Sequence, residues 1–175
     1  MIKTLKSILG AFRIYKEEDP MDEIHKKMAE ELYGVASMTL AESGTIYPIF
    51  YLIKGRDYMP VIIDPEGPPV DTVTYASVVN SAAQDQDCDA AIFISEQWTV
   101  IGKPSDEEMQ KYIDGTKRPS EAEGRRDFLN LVYISAKGVI KSLTGEIKTS
   151  GNGIHYVEES EWMDDAHTNI LTPWR

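Results

Sequence analysis

A single cysteine, Cys88, in 175 residues excludes an intrachain disulfide and any zinc site built from several thiolates. It stands among Asp85, Asp87 and Asp89, whose negative field opposes a thiolate, so an inert thiol at a helix end is expected. Basic residues are scarce as well. Lys and Arg number 18 against 29 Asp and Glu, for a net charge of -11. Phosphate backbones and anionic lipid surfaces are held by clustered cations, so this balance argues against nucleic acid and membrane as partners. Arg118, Arg125 and Arg126 are the one group that could form a local patch of the other sign. No apolar run approaches the roughly 18 residues of a membrane-spanning helix. Near the start, Lys3 and Lys6 precede only Ile8 to Phe12, too short an apolar stretch for a secretory signal. A cytoplasmic location is the expectation.

Cofactor and nucleophile signatures are missing too. The sequence contains no Gly-x-Gly-x-x-Gly, Walker loop, Gly-x-Ser-x-Gly or His-Glu-x-x-His. Its three histidines, His25, His155 and His167, are spaced too widely to read as a metal set, and His25 is expected on the polar face of the first helix. Neither a metal nor a cofactor is expected.

What is present reads as one domain. Hydrophobic residues make up 42%, enough for a core of ordinary size in a chain of this length. Asp19-Pro20 suits a helix start, and Met21, Ile24, Met28, Leu32, Val35 and Met38 predict its inner face. Thr45 to Ile53 and Tyr58 to Ile63 predict a hairpin around Lys54 to Asp57. Asp71 can cap a helix to about Ala83, with Val73, Ala76, Val79 or Asn80, and Ala83 inward. Ala90 to Ile101 is the clearest strand, and Ser105 with Glu108 forms a capping box for a short helix. Strands at Phe128 to Ser135, Val139 to Thr149 and Ile154 to Glu159 follow. Turn residues at Ala136 to Gly138 and Ser150 to Gly153 connect them. This order predicts an α+β domain over 19–163, its helices packed on a largely antiparallel sheet ending in a three-strand meander. Residues 1–18 would be an N-terminal arm or short helix, and 164–175 a tail.

Alternation along the clearest strand puts Ile92, Ile94, Glu96, Trp98 and Val100 on one side. Glu96 thus continues an apolar row, and a buried carboxylate needs a partner. Arg118, Arg125 and Arg126 lie where the chain returns to the sheet, so one of them is expected to grip Glu96, with Trp98 as a flat surface for a guanidinium. Together with Ser120 and Glu121 these residues form the expected structural or binding cluster. Phe93 to Trp98, followed by Arg118-Pro119-Ser120-Glu121 and Arg125-Arg126-Asp127, resembles a pattern in uncharacterised bacterial and phage proteins. In that pattern a strand ending in Glu-x-Trp precedes Arg-Pro-Ser-Glu and an arginine-acidic strand start. The resemblance spans about the central quarter of the chain and implies no activity.

Two functional readings follow. Asp127 with Glu146-Ile147-Lys148 is similar to the acidic-then-Glu-x-Lys pattern of PD-(D/E)xK nucleases, in which both carboxylates share a metal beside the lysine. A hairpin turning at Ala136 to Gly138 would set Asp127 opposite Ile147 and bring all three groups together. Arg126 stands where that pattern has proline, however, and acidic residues are abundant. The reading favoured by the sequence is a non-catalytic module that binds a protein partner or a second copy of itself.

Overall fold

Two strands of eleven residues each form the centre of the fold: β3 (Ala90–Val100) and β4 (Arg125–Ser135). Both are rich in β-branched and aromatic residues, and they pair antiparallel along their whole length, from Ala90 opposite Ser135 to Val100 opposite Arg125. A computed structural model describes residues 21–61, 72–100, 105–113, 116 and 124–164. Around the central pair stand β1 (Ile49–Lys54), β2 (Asp57–Val61), β5 (Ile140–Thr149), β6 (His155–Val157) and β7 (Glu161–Asp164). The sheet runs β2-β1-β3-β4-β5-β6, with β7 also on β5, and every pairing is antiparallel. The helices are α1 (Glu23–Ser43), α2 (Thr72–Asp85) and α3 (Asp106–Ile113). This is the expected α+β arrangement.

The central strands are buried on both faces. Ala90, Ile92, Ile94, Leu129, Leu131 and Tyr133 pack towards α1. Phe50, Leu52, Ala91, Phe93 and Ile134 pack with Ala76, Val79 and Ala83 of α2. Cys88 closes that second core at 2% exposure, which agrees with an inert thiol. The turns also follow the sequence. Gly55-Arg56 links β1 to β2, with Gly55 left-handed at φ 61°. Gly138 (φ 98°) closes the turn in which Ser135 N–H donates to the Val139 carbonyl. The resulting register sets Phe128 opposite Glu146, and its continuation sets Asp127 beside Ile147. At α3, Glu108 N–H donates to Ser105 Oγ at 3.2 Å, the expected cap.

Three expectations need correction. The α1 cap is Asp22, whose side chain accepts from Ile24 N–H at 2.7 Å; residues 1–20 lie outside the described residues. The inner face of α1 is His25, Met28, Ala29, Leu32, Tyr33, Ala36 and Leu40, whereas Ile24, Val35 and Met38 are exposed. Hydrophobicity misplaces this face because Ala29 and Ala36 let the backbone approach the sheet, while His25 and Tyr33 bury rings tied to the sheet through Nδ1 and Oη. His25 is therefore a buried residue and not part of a polar face. Finally, β7 extends the sheet to Asp164, one residue into the expected tail. Between β6 and β7 the residues Glu158, Glu159 and Ser160 face only Gly145 and Glu146 of β5, a bulge that splits the edge strand.

Candidate functional site

Polar groups gather at both ends of the β3–β4 ladder. At one end lies the tryptophan cluster singled out by the sequence. Glu96 is exposed there, and its Oε1 accepts from Ile46 N–H at 2.5 Å and from Thr45 Oγ1 at 2.9 Å. Both donors belong to the α1–β1 connection. Glu96 is thus held by that connection and not by Arg125 or Arg126. Register gives the reason. Glu96 is opposite Leu129, whereas Arg125 is opposite Val100, four residues or about 13 Å along the ladder.

The arginines have carboxylates closer at hand. Arg125 donates through Nη2 and Nε to Asp127 Oδ1 at 2.6 and 2.9 Å, and its guanidinium carbon lies 5.9 Å from the centre of the Trp98 ring. That distance lies within the range of a cation–π contact. Arg126 reaches Glu146 at 3.3 Å. Lys148 approaches the other oxygen of Glu146 at 2.6 Å; this ammonium, aided by Arg126, holds the Glu146 carboxyl below its ordinary pKa. Arg118, Ser120 and Glu121 lie outside the described residues.

The same register separates the nuclease-like residues. Residues directly opposite in an antiparallel pair share a face, and neighbours along a strand alternate. Asp127 therefore shares the α1 face with Ile147, while Glu146 and Lys148 share the other face with Phe128 and Arg126. The two carboxylates are not convergent as expected. Among the described residues, no group of three or more His, Cys, Asp or Glu is placed to hold a metal ion.

At the other end of the ladder, the start of α1 meets the β1–β2 and β4–β5 turns around a cavity of about 730 Å³. His25 Nδ1 lies 3.0 Å from Tyr133 Oη, and both side chains are buried. Burial, reinforced by the charges of Asp22 and Asp89, pushes the Tyr133 phenol well above its ordinary pKa. Asp89 fastens the two turns, since its Oδ2 accepts from Gly55 N–H and its carbonyl from Ala136 N–H, each at 2.8 Å. Sequence reasoning missed this site. The available signal was the spacing of His25 with Ala29, Leu32, Ala36 and Leu40, which marks one helix face once alanine is counted as core.

Where the cluster ends, exposed aromatic surface begins. Trp98 is 47% and Tyr47 75% exposed, and β1 pairs Ile49 with Ile94, so Tyr47 emerges at the same end of the sheet as Glu96. No protein family, curated protein or solved structure matches the chain, and the resemblance carried by the Glu-x-Trp strand brings no activity to it.

Proposed function

We propose that the protein works by binding a protein partner, without turnover, through the face formed by Tyr47, Trp98 and Arg125. The observation that carries this reading is the fixed guanidinium of Arg125, held on Asp127 at 2.6 Å and 5.9 Å from a half-exposed Trp98 ring. Trp, Tyr and Arg dominate the energetic centres of protein interfaces. A guanidinium already tied in place loses little further freedom on association. Strand addition at the sheet edges is a weaker candidate. Pro60 removes a donor from β2, and the bulge divides the opposite edge into strands of three and four residues. A second copy of this chain is the alternative occupant of the same face.

A cytoplasmic setting belongs to the same proposal; among the described residues no helix is long and apolar enough to cross a membrane. The nuclease reading has no comparable support, because the pleat directs Asp127 and Glu146 to opposite faces.

The test is affinity capture with the full chain, paired with sedimentation to detect self-association. Trp98→Ala and Arg125→Ala should each weaken the recovered interaction by about 30-fold or more, corresponding to roughly 2 kcal/mol, with the unfolding transition in place. A protein that stays monomeric and captures no partner, or captures one equally well in both variants, would overturn the proposal.

A further inference from the structure

The cavity at the start of β3 lies away from the proposed contact face, at the other end of the same ladder. Its volume of about 730 Å³ falls in the range of small-molecule sites, a few hundred to about a thousand Å³. Four segments supply its polar wall: Asp22 and His25 from the start of α1, Arg56 from the β1–β2 turn, Asp89 from just before β3, and Tyr133 and Lys137 from β4 and the turn after it.

His25 is the most telling of these. It is only 8% exposed, yet it lines the cavity. Its Nδ1 is engaged by Tyr133 Oη, while Nε2 has no hydrogen bond among the described residues. Nε2 is not sealed in the core, and an accessible ring nitrogen with no bond of its own on a cavity wall offers a contact to a ligand atom. The Tyr133 phenol stays protonated for the reasons given above. When it donates to Nδ1, the neutral imidazole carries its own proton on Nε2 as a donor towards the cavity.

The wall also carries both signs of charge. Asp22, Glu23 and Asp89 face a cavity shared with Arg56 and Lys137, and Arg56 forms no ion pair among the described residues. An anion alone would meet the carboxylates unfavourably, and a cation alone would leave Arg56 unanswered. We propose that this cavity binds a small zwitterion of the amino-acid or dipeptide class, its carboxylate on Arg56 and His25 Nε2–H and its ammonium against Asp22 and Asp89.

Calorimetric titration of the full chain with the common L-amino acids one at a time, and with alanyl-alanine, tests this. Controls are an alkylamine and an alkyl carboxylate of matching length. At least one zwitterion should bind, with either single-charge control about ten-fold weaker or worse. Asp22→Asn keeps an effective helix cap while removing the charge, and Arg56→Gln lies on an exposed turn. Each should lower affinity about ten-fold or more, the size expected for a lost charge-assisted contact. The proposal is overturned if no zwitterion gives a binding isotherm, or if both variants bind as tightly as the parent. Equal binding of the alkylamine would also overturn it, because that would be adsorption of a cation to an acidic protein.

Discussion

Tyr33 Oη donates to the Leu129 carbonyl at 3.1 Å, a side-chain bond that ties the middle of α1 to β4. Burial raises the Tyr33 phenol above its ordinary pKa, so it remains a donor at neutral pH. The same oxygen forms one wall of a space kept open by Gly145. A Cβ added there would lie 2.4 Å from Val157 Cγ1, 2.7 Å from the Glu158 carbonyl and 2.9 Å from Tyr33 Oη. Helix, central sheet and bulged edge thus meet at a position that accepts no side chain.

Gly145→Ala should consequently destabilise the protein by about 2–3 kcal/mol, the upper part of the usual overpacking range. Gly34→Ala, in the exposed interior of α1 with nothing within 4 Å of the added carbon, should stabilise by about 0.5–1 kcal/mol. Denaturant unfolding of both variants checks the pair. Equal effects would mean that the close approach at Gly145 relaxes freely.

Glu96→Ala should cost about 1–2 kcal/mol, because it leaves the N–H of Ile46, a residue only 8% exposed, without its acceptor. Glu96→Gln retains an acceptor oxygen and should cost less. If the glutamate instead anchored an arginine as its main partner, the two substitutions would be similarly damaging, since both remove the charge. Chemical denaturation of the two variants separates these cases.

Alkaline pH should weaken the fold through Tyr133. Its native pKa is raised, chiefly by burial and then by the charges of Asp22 and Asp89. The neutral phenol is therefore favoured in the native state. The contribution is fully present below the unfolded phenol value of about 10 and is lost as pH rises from there towards the native value. Unfolding free energy measured across that window should fall with pH, and Tyr133→Phe should flatten the slope by up to one proton. An unchanged slope would place the phenol in a solvated setting. At neutral pH the same substitution should cost about 1–2 kcal/mol by stripping His25 Nδ1 of its partner.

Much of the fold was legible because local chemistry determines it. Gly55 and Gly138 in left-handed turns set the hairpins, and the register of β4 on β5 follows from the second of these turns. Strand alternation correctly divided β3 between two faces. The site was less legible, since side-chain partners depend on distance along the ladder and on what the loops bring. Glu96 lies on the predicted side of β3, but its nearest donors come from a connection some fifty residues earlier. The grouping of Asp127 with Glu146 failed on pleat parity, which a register argument contains once opposite residues are assigned to the same face. β7 escaped notice because Glu161 to Asp164 has weak strand composition, and its pairing with β5 depends on the bulge before it.

The central claim, that the Tyr47, Trp98 and Arg125 face engages a protein, is tested most directly by site-specific photo-crosslinking. A photoreactive phenylalanine derivative in place of Tyr47, which is 75% exposed, preserves an aromatic ring at the edge of the face. The same group in place of Gly151, an exposed turn residue, serves as the control. A discrete protein adduct is expected from position 47, none from position 151, and loss of the adduct when Arg125→Ala is added with the fold intact. No adduct from position 47, or an adduct indifferent to Arg125→Ala, would contradict the central claim.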